Sequence, residues 1–260
     1  MTKGAVVAVV AAASLLMAAP IGTSASTPRL VVPSRPQAII KPSATVRRVV
    51  LLGDSLAQEV SPFIRYLVPG KPLVPKFWGG TAPCDWVGVD LTATRSSVVV
   101  ITFTGNSLTP CMRDADGTQL RGDALIDRYR SDITTLVATS RRAGARVVLV
   151  GQPYRAASFD ADREVDGINE IYRSLAASNL YVSFVDAGAA VEDGNGAFAE
   201  RLPCLPFDSD CAEDGTTVVR GDGVHFCPIV GENPCSVWSS GAFRFGAAIG
   251  AAVRNPRRFD

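Results

Sequence analysis

The sequence lacks an excess of charge of either sign, because 26 lysine and arginine residues stand against 25 aspartate and glutamate residues. The formal net charge of +1 disfavours nucleic acid, or an anionic membrane, as a bulk electrostatic partner. Histidine is scarcer still, with 1 residue in 260, so any chemistry that needs an imidazole can use only His225.

Several spacings that mark known kinds of site are also missing. No two cysteines form a CxxC pair, the spacing typical of zinc sites, so neither a metal nor another cofactor is expected. The Gly-x-Ser-x-Gly elbow of the α/β-hydrolases is absent. A glycosidase would need two placed carboxylates, and no pair stands out among Asp54, Asp85, Asp186 and Asp222.

The N-terminus has the pattern of an export signal. Lys3 supplies a positive charge, residues 5–20 form an uncharged apolar run, and small residues at 23–25 precede a cleavage site after Ala25. An uncleaved signal anchor is the alternative, although the run is short for a span of about 20 apolar residues. We expect a signal peptide over 1–25, a secreted or cell-envelope protein, and no integral membrane segment after signal removal.

Export changes what the six cysteines predict. In an oxidising compartment an even number of cysteines favours disulfides. The predicted pairs are Cys84–Cys111, Cys204–Cys211 and Cys227–Cys235. The last two pairs would close short local loops, and the first would tie together two loops that carry candidate site residues. Other connectivities are open, so the pairing is a hypothesis at this point.

Apolar runs typical of buried parallel strands alternate with stretches of helical periodicity through most of the chain. The predicted strands cover 49–52, 73–77, 98–103, 147–150 and 182–185, and the predicted helices cover 56–68, 123–143, 163–177 and 240–253. Residues 26–46 are rich in proline and serine, which is typical of a linker. Residues 188–223 lack the alternation and predict a disulfide-tied excursion near the site. The whole predicts one domain over 47–260, with a parallel sheet and helices on both faces.

Residues just after the strands are the candidates for chemistry, because ligands of parallel sheets bind beyond the carboxyl ends of the strands. Ser55 follows the first strand at a predicted helix N-terminus, where the local field favours negative charge. A helix N-cap is the alternative interpretation of this serine. Asn106 follows the strand over 98–103, and its side-chain amide could donate to a developing oxyanion. A simple turn residue is the alternative there.

His225 is the only base of its kind that a serine nucleophile could use. A serine is a weak nucleophile by itself and needs an adjacent base. Asp222 lies three residues before His225, so one turn could bring its carboxylate to the imidazole and fix the tautomer of the ring. Asp186, which follows the strand over 182–185, is the alternative partner for the ring. A structural histidine is the alternative role for His225 itself.

Four separated segments, in order, resemble the four blocks of the SGNH hydrolase superfamily, the GDSL-type esterases and acyl hydrolases. Leu-Leu-Gly-Asp-Ser-Leu at 51–56 resembles the first block, and the Gly79-Gly80 loop resembles the second. The third resembles Thr-Gly-Asn-Ser at 104–107, and the last resembles the DxxH pattern at 222–225. The second block lacks the usual leading asparagine, and its Cys84 and Trp86 are typical of a secreted subgroup.

The resemblance implies a three-layer α/β/α, flavodoxin-like fold with a central parallel sheet. It also implies that Ser55 is the nucleophile and that His225 is the base, oriented by Asp222.

The resemblance further implies an oxyanion hole made of the Ser55 N–H, the Gly80 N–H and the Asn106 side chain. Gly79 is the alternative donor. Gly80 is preferred because the small polar residue Thr81 follows it.

On this resemblance we expect a secreted serine esterase or acyl hydrolase that acts on O-acyl esters. Its partner would be an acyl-ester substrate, with the glycans or glycolipids of the cell envelope as the expected carriers. An O-acyltransferase using the same site is one alternative, since water or a sugar hydroxyl can resolve an acyl-enzyme. A non-catalytic envelope-binding module of the same fold is the other, although such a module would be expected to have lost Ser55 or His225.

Overall fold

Five strands form one parallel sheet in the order β2-β1-β3-β4-β5. The strands are β1 Arg48–Gly53, β2 Leu73–Phe77, β3 Ser97–Thr102, β4 Arg146–Val150 and β5 Val182–Val185. Every residue of β3 and β4 is buried, which explains their continuous apolar runs. Pro75 lies in β2 at the edge of the sheet, where the missing N–H of proline is tolerated.

In this computed structural model the described residues are 40–159 and 162–255, with the backbone alone at 162 and 163. The predicted signal peptide over 1–25 and the first part of the predicted linker over 26–46 lie outside the described residues. The described end of that linker packs on the domain, because Pro42 is buried and the Ser43 N–H donates to the Arg95 carbonyl at 2.7 Å.

Four helices cover the two faces of the sheet. They are α1 Ser55–Leu67, α2 Gly122–Arg142, α3 Asp162–Ser178 and α4 Ser240–Arg254. Val49 and Leu51 of β1 belong to the core beneath α1 and α4, whereas Val50 and Leu52 belong to the core beneath α2 and α3. This alternation follows from the period of two along a strand, and it confirms the predicted three-layer α/β/α arrangement.

The excursion predicted over 188–223 contains structure that its sequence did not reveal. Strand β6 Arg201–Pro203 pairs antiparallel with β7 Thr216–Val218 in a separate two-stranded sheet. The Cys204–Cys211 disulfide lies in the connection between them. Elsewhere the predicted elements differ from the observed ones by at most one residue at either end.

All six cysteines form disulfides in the predicted pairs, Cys84–Cys111, Cys204–Cys211 and Cys227–Cys235. Three disulfides fit a protein of an oxidising, extracellular compartment. Among residues 40–159 and 162–255, no helix has the length and apolar character that a bilayer crossing requires.

The strand order places the carboxyl ends of β1 and β3 side by side, with Gly53 opposite Thr102. From β1 the chain continues to β2 on one side of the sheet and then returns to β3 on the other. A strand order of 2-1-3-4-5 has its topological switch point between β1 and β3, where ligands of this fold bind. The segments after β1 and β3 therefore border the crevice in which a site is expected.

Candidate active site

Ser55 is the first residue of α1 and directly follows β1. The preceding residue, Asp54, caps the helix because its Oδ1 accepts a hydrogen bond from the Leu56 N–H at 3.1 Å. Asp54 rather than Ser55 is therefore the N-cap, and the serine hydroxyl is free for another role. The site of Ser55, at the positive end of a helix dipole, favours negative charge nearby.

His225 joins Ser55 to Asp222 in a chain of hydrogen bonds. The His225 Nε2 lies 2.9 Å from the Ser55 Oγ, and the His225 Nδ1 lies 2.7 Å from the Asp222 Oδ2. With the ring proton on Nδ1, the ring donates to the carboxylate and accepts from the hydroxyl. This is the arrangement in which a histidine can take a proton from a serine.

Asp222 also builds the turn that carries the histidine. Its Oδ1 accepts the backbone N–H of His225 at 2.6 Å and that of Val224 at 2.8 Å. Partial burial, the largest single influence, raises the pKa of the Asp222 carboxyl, but the hydrogen bonds from His225 and Val224 outweigh it, so the pKa is lowered. Asp222 is therefore an anion beside the ring at neutral pH. Asp222, and not the alternative partner Asp186, bonds the His225 Nδ1, while Asp186 lies beside Gly151.

Asn106 follows β3 and is anchored on both sides. Its side-chain Nδ2 donates to the Asp54 Oδ2 at 3.0 Å, and its backbone carbonyl accepts from the Tyr129 hydroxyl at 2.9 Å. A side-chain amide has two N–H groups. One of them is bonded to Asp54, which leaves the other for a ligand.

Asp54 is the hub that ties the end of β1 to the end of β3. Besides the bonds to Leu56 and Asn106, its Oδ2 accepts the Thr104 N–H at 2.7 Å and the Thr104 hydroxyl at 2.8 Å. The side chain is fully buried, and this burial raises the pKa of the Asp54 carboxyl against the opposing effect of its hydrogen bonds. The hub fixes where Asn106 stands relative to Ser55.

The glycine-rich loop lies against the nucleophile helix. A turn at 78–81 closes through the Thr81 N–H, which donates to the Trp78 carbonyl at 3.3 Å. A Cβ placed on Gly79 would lie 3.9 Å from the Ser55 Cβ, whereas one placed on Gly80 would meet only Leu108 within 4 Å. The loop therefore borders Ser55, and Gly79 is the nearer of its two glycines by this measure.

A second buried carboxylate lies behind the histidine. Glu59 stands one turn after Ser55 on α1, and its Oε2 accepts the Phe226 N–H at 2.7 Å. Burial, opposed by this hydrogen bond, raises the pKa of Glu59 from its ordinary value of 4.5 to about 7. The fully buried Arg220 is nearby, and burial lowers the pKa of its guanidinium to about 10.

Among the described residues there are two clusters in which three potential metal-ligand atoms lie close to one another. They are Cys84, Asp85 and Cys111, and Cys227, Glu232 and Cys235. In each group the two sulfurs form a disulfide. A cysteine binds a metal as its thiolate, and these sulfurs are bonded to each other, so neither group indicates a metal site.

The structure thus brings together the residues predicted as nucleophile, base, carboxylate partner and side-chain amide donor. Ser55, Asp222, His225 and Asn106 meet at the switch point, and the loop with Gly79 and Gly80 lies beside them. Sequence reasoning did not find Asp54 as the hub or Glu59 as a contact of the histidine turn. The position of Asp54 between a strand and a serine was the one signal available for it.

The fold occurs in GDSL-type proteins of known structure. A GDSL-like lipase from Bacteroides thetaiotaomicron aligns with a TM-score of 0.51 at 15% identity, over 80% of this chain and 87% of that chain. A catalytic mutant of an acetylxylan esterase from Geobacillus stearothermophilus aligns with a TM-score of 0.51 at 16% identity, over 83% and 95%. The C-terminal catalytic domain of peptidoglycan O-acetyltransferase A from Streptococcus pneumoniae aligns with a TM-score of 0.50 at 16% identity, over 81% and 94%.

The fold is the one found in these GDSL-type proteins, as the sequence predicted. The chain belongs to the family described as protein of unknown function (DUF459), whose model matches residues 87–232, more than half of the chain. That stretch contains Asn106, Asp222 and His225, whereas Ser55 precedes it. No curated protein matches the chain significantly.

Proposed function

We propose that the protein is an exported serine esterase that hydrolyses O-acyl esters, with Ser55 as nucleophile and His225 as base. The observation that carries the proposal is the continuous chain from the Ser55 Oγ through His225 to Asp222, with contacts of 2.9 and 2.7 Å. A serine needs such an adjacent base to attack a carbonyl. The fold shared with esterases and an acetyltransferase domain supports the ester-acting class.

In the acylation step the Ser55 oxygen attacks the ester carbonyl carbon while the His225 Nε2 takes the hydroxyl proton. The Asp222 carboxylate stabilises the imidazolium that forms. The carbonyl oxygen becomes an oxyanion held by the Ser55 N–H, the remaining Asn106 amide N–H and a glycine N–H. The position of Gly79 beside Ser55 favours its loop as the source of the third donor, from Gly79 or from Gly80. His225 then protonates the departing alcohol.

In the deacylation step water attacks the acyl-serine, and His225 accepts a proton from this water. The tetrahedral intermediate collapses, Ser55 regains its proton from the ring, and a carboxylic acid leaves.

The same acyl-enzyme could pass its acyl group to a sugar hydroxyl instead of water. Analysis of products in the presence of an oligosaccharide distinguishes the two outcomes, because transfer gives an O-acylated sugar and hydrolysis gives free acid.

Acyl groups on cell-envelope glycans or glycolipids are the substrates that we propose. The predicted export signal and the three disulfides support a site of action outside the cytoplasm. Two of the neighbours named above are, by their names, an esterase of acetylxylan and a domain that transfers acetyl groups to peptidoglycan. O-acetylated polysaccharides are therefore the first natural substrates to test.

Turnover of p-nitrophenyl acetate by three variants tests the proposal. Ser55→Ala and His225→Ala are each expected to lower kcat by about a thousandfold or more, because the nucleophile or its base is lost. Ser61→Ala, on the same helix and outside the site, should retain the wild-type rate. Equal turnover by all four proteins would exclude the proposed mechanism.

Labelling with a fluorophosphonate tests the nucleophile without knowledge of the substrate. The wild-type protein should be modified at Ser55, and mapping of the modified peptide identifies the residue. Ser61→Ala should be labelled equally, and His225→Ala should be labelled far more slowly. A label on any other serine would contradict the assignment.

A further inference from the structure

Glu59 connects the helix that carries Ser55 to the turn that carries His225. Its Oε2 accepts the backbone N–H of Phe226 at 2.7 Å, across 167 positions of sequence. The side chain is 4% exposed, so water competes little for this bond. A buried backbone N–H that loses its acceptor is costly, so the turn has a strong preference for this position.

Two contacts therefore join the same two segments side by side. Ser55 and Glu59 are four residues apart and lie on one face of α1, while His225 and Phe226 are consecutive. The first contact, Ser55 Oγ to His225 Nε2, is 2.9 Å long, and the second is the bond from Phe226 to Glu59. The two contacts are neighbours on α1 and also on the segment at 225–226. The length of the Glu59 side chain therefore sets how closely the His225 ring approaches the Ser55 hydroxyl.

The charge of Glu59 belongs to a buried electrostatic cluster. The Arg220 guanidinium is 1% exposed, its Cζ lies 5.4 Å from the centroid of the Phe226 ring, and it interacts electrostatically with Glu59 and Asp222. The negative charge of Glu59 and its acceptor oxygen are thus two separate properties. A glutamine at this position keeps the acceptor and removes the charge, and an aspartate keeps the charge and shortens the reach.

We propose that Glu59 is a positioning residue of the proposed esterase, whose carboxylate oxygen holds the His225 turn against α1 so that the ring reaches Ser55. This role rests on the proposed function. It requires an acceptor oxygen at the reach of a glutamate side chain, and it does not require a negative charge. Misplacing a catalytic group by about 1 Å can lower the rate by about a hundredfold.

Three substitutions separate reach from charge. Glu59→Gln should keep kcat within about threefold of wild type, whereas Glu59→Asp and Glu59→Ala should each lower kcat by about 10- to 100-fold. KM should change little, because Glu59 does not touch the substrate. The matched control is Asp132→Asn, which alters a buried carboxylate on α2 that pairs with Arg128 at 2.6 Å on the same helix. It should leave kcat unchanged.

The single histidine allows a second measurement that needs no turnover. In protein labelled with ¹⁵N-histidine, the Nε2 shift of the neutral ring reports the hydrogen bond from the Ser55 hydroxyl, and Ser55→Ala gives the value for its loss. Glu59→Asp and Glu59→Ala should move the Nε2 shift towards that of Ser55→Ala. Glu59→Gln should remain near wild type. Near-ultraviolet circular dichroism checks that each variant is folded.

The outcomes separate the two proposals. If wild-type protein hydrolyses no ester but the Nε2 shifts follow the expected order, the proposed function fails and the positioning role stands. Loss of kcat in Glu59→Gln with a wild-type kcat in Glu59→Asp would overturn the positioning role and assign the effect to charge. An equal loss in the two variants would overturn it as well, because an acceptor oxygen at full reach would then not be sufficient. Unchanged kcat and Nε2 shift in Glu59→Asp would overturn it as well, and this comparison remains available if Glu59→Ala does not fold.

Discussion

Asn106 divides its side-chain amide between the fold and the candidate site. One N–H binds the Asp54 carboxylate at 3.0 Å and so fixes the side chain. The other is the donor that we assign to the oxyanion. A donor that is already held in place needs no reorganisation when negative charge develops, which is what makes such groups effective.

Replacement of Asn106 by alanine should lower kcat on p-nitrophenyl acetate by about 100- to 1,000-fold, the usual effect of losing one oxyanion donor. The unfolding free energy should also fall by about 1–3 kcal/mol, since buried Asp54 loses one of its donors. Ser107→Ala is the control, because its hydroxyl contacts Gln119 at 2.7 Å rather than the site. A kcat within about twofold of wild type for Asn106→Ala would refute the assigned role.

Single residues were predictable where a motif marks them. Ser55, Asn106, Asp222 and His225 each occupy a recognisable position after a strand or within a DxxH turn. Glu59 has no such mark, because its importance comes from burial and from a contact with Phe226 that only the folded chain creates. A helical sequence with one glutamate gives no indication of which residue that glutamate will meet.

At the scale of elements, one disulfide connects two loops of the site. Cys84 belongs to the segment that follows β2 and the Gly79-Gly80 turn, and Cys111 belongs to the segment that follows β3 and Asn106. These loops carry two of the three proposed oxyanion donors. In the folded protein the disulfide therefore restrains the distance between those two donors. In the unfolded protein it reduces the conformational entropy of the chain.

Removal of this disulfide by Cys84→Ser with Cys111→Ser should lower the unfolding free energy by about 3–4 kcal/mol, from the entropy of a loop of 27 residues. It should also lower kcat by about tenfold, because the donors lose their mutual restraint. The control pair is Cys204→Ser with Cys211→Ser, whose loop of 7 residues corresponds to about 2 kcal/mol. Equal kcat values for the two double variants would show that the first disulfide is merely stabilising.

Strands with a continuous apolar run were predictable, and the two strands of three residues were not. The strand over 182–185 was predicted with its observed bounds because a buried parallel strand has a continuous apolar run. Strands β6 and β7 have three residues each and are held partly by the Cys204–Cys211 link. Such strands carry too few side chains to show a periodicity.

For the molecule as a whole, buried Glu59 links stability to pH. Its pKa is about 7 in the folded protein against an ordinary value of 4.5, so between these pH values the native state binds more protons than the unfolded state. The contribution of Glu59 to stability is therefore complete below about pH 4.5. It is lost as the pH rises through about 7.

Glu59→Gln should remove this part of the pH dependence. The unfolding free energy of the variant relative to wild type should rise by up to about 3 kcal/mol between pH 4.5 and pH 8. Urea titrations of both proteins at several pH values measure the difference. A difference that stays constant across this range would show that Glu59 titrates as an ordinary carboxyl.

The overall architecture followed from the alternation of strand and helix patterns, because each βα unit buries one strand and covers it with one helix. The alternation could not predict which residues that are far apart in the sequence lie close together in the fold. Ser55 and His225 are 170 positions apart, and nothing local to either one indicates their distance. The resemblance to an ordered set of blocks supplied that connection, and the fold explains it through the switch point between β1 and β3.

The sheet is complete at Val185, yet the turn with Asp222 and His225 comes only after a further excursion. A growing polypeptide that has emerged as far as β5 already contains every strand of the main sheet, along with Ser55 and Asn106. It still has no imidazole. In the proposed mechanism, activity towards esters is therefore expected only after synthesis has passed His225.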